Sequence, residues 1–346
     1  MKVGLIGFFG VGALSDDLIL DATKRLILKE RPKTVFDELV MWRSVKDGRV
    51  DVDYLNGFDL LVLCGGSLLG KCTFQPVNAI ASWHDKVDTP LAIMGTGYRF
   101  EPRLEPLADD MRQRMRLLFK KAYPIMLRGL RTVYHCGNNG IPLENVKCLG
   151  EPIIGAGYDS PTRRRSIIGG NVRNMPWNEV QYTDNTVVQK LLAQVYDWLI
   201  EETGMDVELL ALREYPDDND LEGALRVVKM MRNGDRVHIG HKLTIGELRR
   251  IMNYSFWFGA RCHPAVYCAA VGIPFVGFEA QFNKMEDFLS VHKSSCYITA
   301  FGDLEKFKEK YKEAMDTEYQ KALKESVWRN SREIQRFVRE MLEVTG

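Results

Sequence analysis

Short, almost uninterrupted apolar runs alternate with stretches of helical periodicity along nearly all of the 346 residues. Val3–Gly7, Leu60–Cys64, Leu91–Met94, Ile125–Leu127 and Val146–Leu149 read as buried strands, with helices at Asp17–Lys29 and Leu107–Ala122 between them. Strands that are apolar on both faces and separated by helices dictate a parallel sheet covered on both sides and joined by right-handed crossovers. The texture breaks at residues 155–165, where Gly-Ala-Gly-Tyr-Asp-Ser-Pro-Thr runs into three arginines and reads as an interdomain linker. The alternation then restarts. Strands are expected at Ser166–Asn171, Val207–Leu212, Arg236–Gly240, Phe256–Ala260 and Phe275–Phe278. Helices are expected at Val187–Glu202, Leu221–Met231, Ile245–Met252 and after His263. Two rounds of one pattern predict an α/β chain of two Rossmann-like, doubly wound domains facing a central cleft, residues 1–158 and 166–302. The tail, residues 303–346, is highly charged, with Phe307, Tyr311, Met315 and Tyr319 at helical spacing. It is expected as one or two amphipathic helices on the exterior, crossing back to the first domain.

Composition narrows the function classes. Hydrophobic residues make up 45% of the chain, enough for two cores, and the formal charge is only +1, so no nucleic-acid footprint is present. No apolar stretch approaches the roughly 20 residues needed to span a bilayer. The opening Met-Lys-Val-Gly-Leu-Ile-Gly lacks a basic region and a cleavage site, which argues against a signal peptide. The seven cysteines (64, 72, 136, 148, 262, 268 and 296) form no CxxC pair, so neither a zinc site nor a disulfide framework is signalled. A soluble, reducing, cytoplasmic setting is expected, with peripheral attachment to the inner face of the membrane left open. A homo-oligomer is compatible with the sequence.

In doubly wound sheets ligands bind beyond the carboxyl ends of strands, so the loops there carry the chemistry. The first loop holds Gly7, Gly10 and Gly12 without the GxGxxG spacing, and Ser15 or Asp16 is expected to cap a helix starting at Asp17. The second, Cys64-Gly65-Gly66-Ser67-Leu68-Leu69-Gly70-Lys71, can turn backbone amides toward an anion. It is not a P-loop, because Lys71 is followed by Cys72. The third is Gly95-Thr96-Gly97-Tyr98-Arg99, in which Tyr98 or Arg99 serves either the cleft or packing. The fourth, Arg261-Cys262-His263-Pro264, joins a strand to a helix with Pro264 expected at the first helical position. An arginine for phosphate or carboxylate lies two residues from a titratable imidazole, an anion-plus-acid pairing beside a helix N-terminus. The plainer alternative is a satisfied, helix-capping His263.

These segments, in this order, resemble the polysaccharide pyruvyl transferase family over roughly residues 1–290. The opening acidic pair appears as Asp16-Asp17-Leu18-Ile19-Leu20, the Gly-Gly-Ser loop as Gly65-Gly66-Ser67-Leu68-Leu69, and a Gly-x-Gly loop as Gly95-Thr96-Gly97. An Arg-x-His block is matched by Arg261-Cys262-His263, followed by Ala269-Ala270 and Gly272-Ile273-Pro274. Ala13 and Ser15 stand where the family usually has Asn and Gly, Thr96 where Gln is common, and Pro264 follows the histidine.

The resemblance implies a GT-B-like fold and a transferase that forms a pyruvate ketal on a sugar of a glycan or glycan precursor. It implies phosphoenolpyruvate as donor, held mainly by the second domain, and the sugar acceptor on the first. It implies His263 as general acid, with Arg261 and Arg173 neutralising the donor. Arg128 and the loop residues Gly65, Gly66, Ser67, Gly95, Thr96 and Gly97 complete the substrate contacts, and Asp16 or Asp17 holds the acceptor hydroxyl. No metal or other cofactor is expected. Two further readings fit the same residues. One is a GT-B nucleotide-sugar glycosyltransferase using Glu279 or Glu286 for a ribose; the other is a non-catalytic sugar- or anion-binding relative.

Overall fold

The computed structural model of the protein describes residues 1–10, 13–39, 51–69, 85–98, 107–174, 185–215, 218–279 and 283–345. Gly12, Gly70, Lys71 and Arg99 of the loops above lie outside them. The first half runs β1 (Lys2–Ile6), α1 (Leu14–Glu30), β2 (Val35–Leu39), α2 (Val52–Asn56), β3 (Leu60–Cys64), β4 (Leu91–Thr96) and α3 (Asp109–Lys121). It continues through β5 (Ala122–Leu127), α4 (Leu130–Asn138), β6 (Val146–Cys148) and the single turn α5 (Pro152–Gly155). The second half begins with β7 (Arg165–Asn171), α6 (Asn185–Thr203), β8 (Asp206–Leu210), the small antiparallel pair β9 (Glu214–Tyr215) and β10 (Asp218–Asn219), and α7 (Asp220–Met230). After it come β11 (Val237–Gly240), α8 (Ile245–Ile251), β12 (Tyr254–Gly259), α9 (Cys262–Val271), β13 (Phe275–Glu279), α10 (Lys284–Val291) and β14 (Tyr297–Thr299). Two helices end the chain, α11 (Leu304–Met315) and α12 (Thr317–Glu343).

Each half folds around a six-stranded sheet in which every pairing is parallel. The central strands are buried end to end, β3 (Leu-Leu-Val-Leu-Cys) and β4 without an exposed residue, as parallel strands under helices must be. The architecture is thus α/β, two doubly wound domains, as the sequence predicts. The two sheets differ in order. The second runs β11-β8-β7-β12-β13-β14, the dinucleotide-binding order, with its switch point between β7 and β12. The first runs β2-β1-β3-β4-β5-β6, the flavodoxin-like order, which moves its switch point to β1 and β3. The segments after these four strands hold Asp16 in the first turn of α1, the Gly65–Ser67 turn, Arg173 and Arg261.

A shared core joins the domains. Ile19, Leu26 and Ile153 of the first half pack in one buried cluster with Trp257, Val266 and Phe288 of the second and with Ile334 and Phe337 of α12. Each such side chain contributes roughly 1.5–3 kcal/mol on burial. α12 crosses from the second domain, where Ser326 meets His292, back to the first, where Glu340 bonds Tyr123 and Lys147. The segment between the domains is also pinned: Tyr158 donates to Asp21 of α1 (2.7 Å), and Arg165 pairs with Glu208 (2.7 Å). Among the described residues no helix is long and apolar enough to cross a membrane.

Candidate active site

The two switch points meet at α1. Its helix begins at Leu14, not at Asp17, and neither Ser15 nor Asp16 caps it. The reason is tertiary. Leu14 donates its amide to the carbonyl of Leu212 in the second domain (3.0 Å), and Ala13 bridges to Arg213, so an orphan helix amide is satisfied without a side chain. Asp16 therefore sits in the first turn with its carboxylate free of capping duty and facing the second domain. Asp17 turns away and accepts from the amide of Gly10 (2.8 Å), closing the first loop.

Across the junction, α9 starts at Cys262, with Arg261 as its N-cap residue and Pro264 in the third helical position, not the first. Proline fits there as well, because the first-turn amides have no intrahelical acceptor. Arg261 and His263 diverge from this turn. The Arg261 guanidinium forks onto Asp220 at the start of α7, at 2.7 and 3.2 Å, and its backbone amide donates to Asn171 Oδ1 (3.1 Å). Arg173 follows β7 two residues beyond Asn171 and is half-buried. Arg261 and Arg173 thus stand at the carboxyl ends of adjacent strands, β12 and β7.

His263 turns the other way, into the first domain. Its Nδ1 lies 3.6 Å from Asp16 Oδ1 and its Nε2 lies 3.6 Å from Glu151 Oε1. The residue is 5% exposed, and burial drives the ring's pKa well below the usual imidazole range, with Lys284, Arg128 and Arg261 pushing the same way. A hydrogen bond with the Ser15 backbone opposes them. Glu151, on the loop between β6 and α5, is completely buried, and its carboxyl is pushed up to about 7 by that burial, against the pull of Arg128. Burial also raises Asp16, with Lys284, Arg213 and Arg261 pulling it back. Lys284, the first residue of α10, is therefore the cation common to Asp16, His263 and Glu151.

Arg128, after β5, has no exposed surface. Its Nε donates to Asp287 (3.3 Å), its Nη2 donates to Ser67 Oγ (3.3 Å) and to the Tyr98 carbonyl (3.5 Å), and its Nη1 lies 3.5 Å from Glu151. It is a clamp between domains, since Asp287 belongs to α10. Gly97 makes room for it: a Cβ there would fall 2.3 Å from Arg128 Nη2. Gly65, at φ +68°, leaves space for Ile19, which a Cβ would meet at 2.2 Å. Thr96 Oγ1 ties the two loops, accepting from Leu68 N (3.3 Å) and donating to the Gly66 carbonyl (3.4 Å). Gly95 packs against Pro152, beside Glu151.

The geometry brings Asp16 and His263 together, and Ser67, Gly97 and Arg128 into one cluster, while Asp17 and Arg261 turn to other partners. Sequence reading passed over Glu151 and Lys284. Glu151 had a local signal, an acid between a strand and a proline at a strand's carboxyl end. Lys284 had none. Among the described residues no group of His, Cys, Asp and Glu is arranged to hold a metal ion.

Solved structures with this fold include Anabaena HepE in complex with UDP-glucose, at TM-score 0.59 and 11% identity, with 99% of each chain covered. The Staphylococcus aureus protein MnaA with UDP superposes at TM-score 0.57 and 12% identity over 93% of this chain and 90% of that one. A putative UDP-N-acetylglucosamine 2-epimerase from Listeria monocytogenes does so at 0.55 and 12%, over 94% and 90%. Such low identities show the GT-B-like fold alone. No curated protein is a significant match by sequence. The model of the family described as polysaccharide pyruvyl transferase matches residues 16–281, from Asp16 on α1 through the switch-point loops of both domains. The chain belongs to the polysaccharide pyruvyl transferase family.

Proposed function

We propose that the chain transfers the pyruvyl group of phosphoenolpyruvate to a sugar of a glycan or glycan precursor, forming a ketal. The observation that carries this reading is the field at His263. A buried imidazole stands between two carboxyl groups at the domain junction, and Lys284, Arg128 and Arg261 all oppose its protonation. Such a site suits a small trianion. Donor phosphate and carboxylate beside Lys284, Arg261 and Arg173 would cancel that field and return a proton to His263 when substrate is present. The imidazolium then protonates C3 of the enol, a general-acid step. Asp16, on the first-domain side of the ring, takes the proton of the first acceptor hydroxyl as its oxygen attacks C2. A second hydroxyl displaces phosphate, and its proton leaves with the phosphate.

The acids the nucleotide-sugar alternative would use both have partners in the fold. Glu279 accepts the amide of Met285 (2.6 Å) at the start of α10, and Glu286 pairs with Arg131. The test is phosphate release and pyruvate transfer from phosphoenolpyruvate over a panel of sugar acceptors, with His263→Ala and Arg261→Ala beside the wild type. Near-wild-type turnover by both variants sinks the proposal. Thermal stabilisation by UDP or GDP, with no response to phosphoenolpyruvate, favours the glycosyltransferase instead.

A further inference from the structure

The proposed chemistry leaves a question of supply. His263 must give up a proton, yet its surroundings hold it neutral. Among the described residues His263 Nε2 has no hydrogen-bond partner, and neither has either oxygen of Glu151. These buried polar atoms face each other at 3.6 Å. Native interiors rarely leave such groups unmatched, and a carboxyl without a hydrogen bond, its ion pair with Arg128 at 3.5 Å, beside a ring nitrogen without one calls for a function.

We propose that Glu151 is a positioning residue for pyruvyl transfer: its carboxyl shares one proton with Nε2 of His263, so that the pair, and not the imidazole alone, supplies the acid. The inference rests on the reading of the site given above. The groups facing Glu151 are Arg128 at 3.5 Å, His263 at 3.6 Å, and Asp16, Lys284 and Cys262 through their fields. In the resting protein below pH 7 the proton is on the carboxyl. When the donor's negative charge arrives, the O–H bond of Glu151 breaks and an N–H bond forms at Nε2. The N–H bond at Nδ1 then breaks as its proton goes to C3 of phosphoenolpyruvate, leaving a neutral ring. The carboxylate left behind is held by Arg128. The proton of the first acceptor hydroxyl, taken by Asp16, returns through the ring to Glu151 and restores the pair, so one proton enters for each one spent.

The burial of Glu151 makes this testable without turnover. Its titration near pH 7 must be felt by the ring it faces. In histidine-labelled protein, with His263→Ala assigning the signal, the Nε2 resonance of His263 is expected to shift across pH 6–8 in the wild type and to lose that response in Glu151→Gln. In the transfer assay Glu151→Gln is expected to lower kcat about tenfold or more, with the KM for phosphoenolpyruvate changed less than about twofold, and to displace the acid limb of the pH profile. Glu151→Asp, which keeps the acid at a longer reach, restores part of both signals. A wild-type resonance flat across pH 6–8, or a Glu151→Gln protein with the wild-type profile and resonance, overturns the proposal. If Glu151→Gln fails to fold, the wild-type titration and Glu151→Asp still decide it. Should no acceptor release phosphate, the reaction assignment falls while the resonance still reports whether Glu151 and His263 share a proton.

Discussion

Two carboxyl groups share Arg128, and they are buried equally. Asp287 and Glu151 both have no exposed surface, and both lie within 3.5 Å of the same guanidinium. Asp287 accepts three hydrogen bonds, from Arg128 Nε (3.3 Å), the Thr132 hydroxyl (2.7 Å) and the Thr132 amide (3.0 Å). Glu151 accepts none among the described residues and keeps an ion pair with Arg128 at 3.5 Å, and burial raises its proton affinity. Burial and a nearby cation are thus not enough to tell structure from chemistry. The hydrogen-bond inventory separates them: Asp287 is bonded on both oxygens and joins the domains, while Glu151 is left with one ion pair and a histidine as neighbour.

The largest test of this contrast acts on the Glu151 side. His263→Ala removes the ring between Glu151 and Asp16 and is expected to lower pyruvyl transfer by about 10²–10⁴-fold, with little change in unfolding free energy. Steady-state kinetics with chemical denaturation of the same preparation checks it; a variant that merely unfolds would place His263 with Asp287 as structural. The counterpart is Asp287→Ala, which leaves Arg128 and the Thr132 amide and hydroxyl short of a partner. It is expected to cost about 3–5 kcal/mol in the denaturation midpoint analysis. A cost below 1 kcal/mol there would erase the distinction from the other direction.

The contrast also has a pH signature. The Glu151 carboxyl is raised from the ordinary carboxylate range to about 7, so between those values the folded protein binds more protons than the unfolded chain. The corresponding contribution to stability is present below the ordinary value and is lost as pH rises through 7. Glutamine does not titrate. The stability of Glu151→Gln relative to wild type is therefore expected to improve from pH 5 to pH 8, by on the order of 2 kcal/mol. Depression of the His263 pKa works in the opposite sense, costing stability as pH falls below the usual imidazole range. Parallel curves for the two proteins would show that Glu151 is ionised throughout, like an ordinary ion-pair partner.

Much of this was legible beforehand and some of it was not, for reasons visible in the residues. β3 is found over the residues its apolar run delimits, because a central parallel strand has no polar face to blur its ends. β2 (Val-Phe-Asp-Glu-Leu) and β14 (Tyr-Ile-Thr) escaped notice, being edge strands with exposed positions and mixed polarity. α4 and α10 were missed as well; each is short. Asp16, His263, Arg261 and the glycine loops announce themselves because chemistry and turn geometry restrict which residues serve there. Their divergence does not: that Arg261 forks onto Asp220 while His263 crosses to Glu151 is a product of domain packing. Likewise Arg128 and Asp287 are 159 residues apart, and nothing local marks them as partners.

The smallest effect expected is also the control for the contrast. Thr96 is as buried as Asp287 and Glu151 and sits between the loops that carry Ser67 and Gly97, but it is uncharged. Its hydroxyl bonds are long, 3.3 Å from the Leu68 amide and 3.4 Å to the Gly66 carbonyl, and that carbonyl keeps the Gly97 amide at 2.9 Å whatever stands at position 96. Thr96→Val preserves shape and orphans only the Leu68 amide, so a loss of about 1 kcal/mol is expected, with no change in the pH dependence of stability. The measurement is the same denaturation series used for Asp287→Ala. If hydrogen bonds to buried charge are what set Asp287 apart, the two losses differ several-fold. If instead Thr96→Val costs as much as Asp287→Ala, neutral hydroxyl bonds hold the loops after β3 and β4 as strongly as bonds to a buried carboxyl group, and the hydrogen bonds of Asp287 explain little about how the domains stay joined.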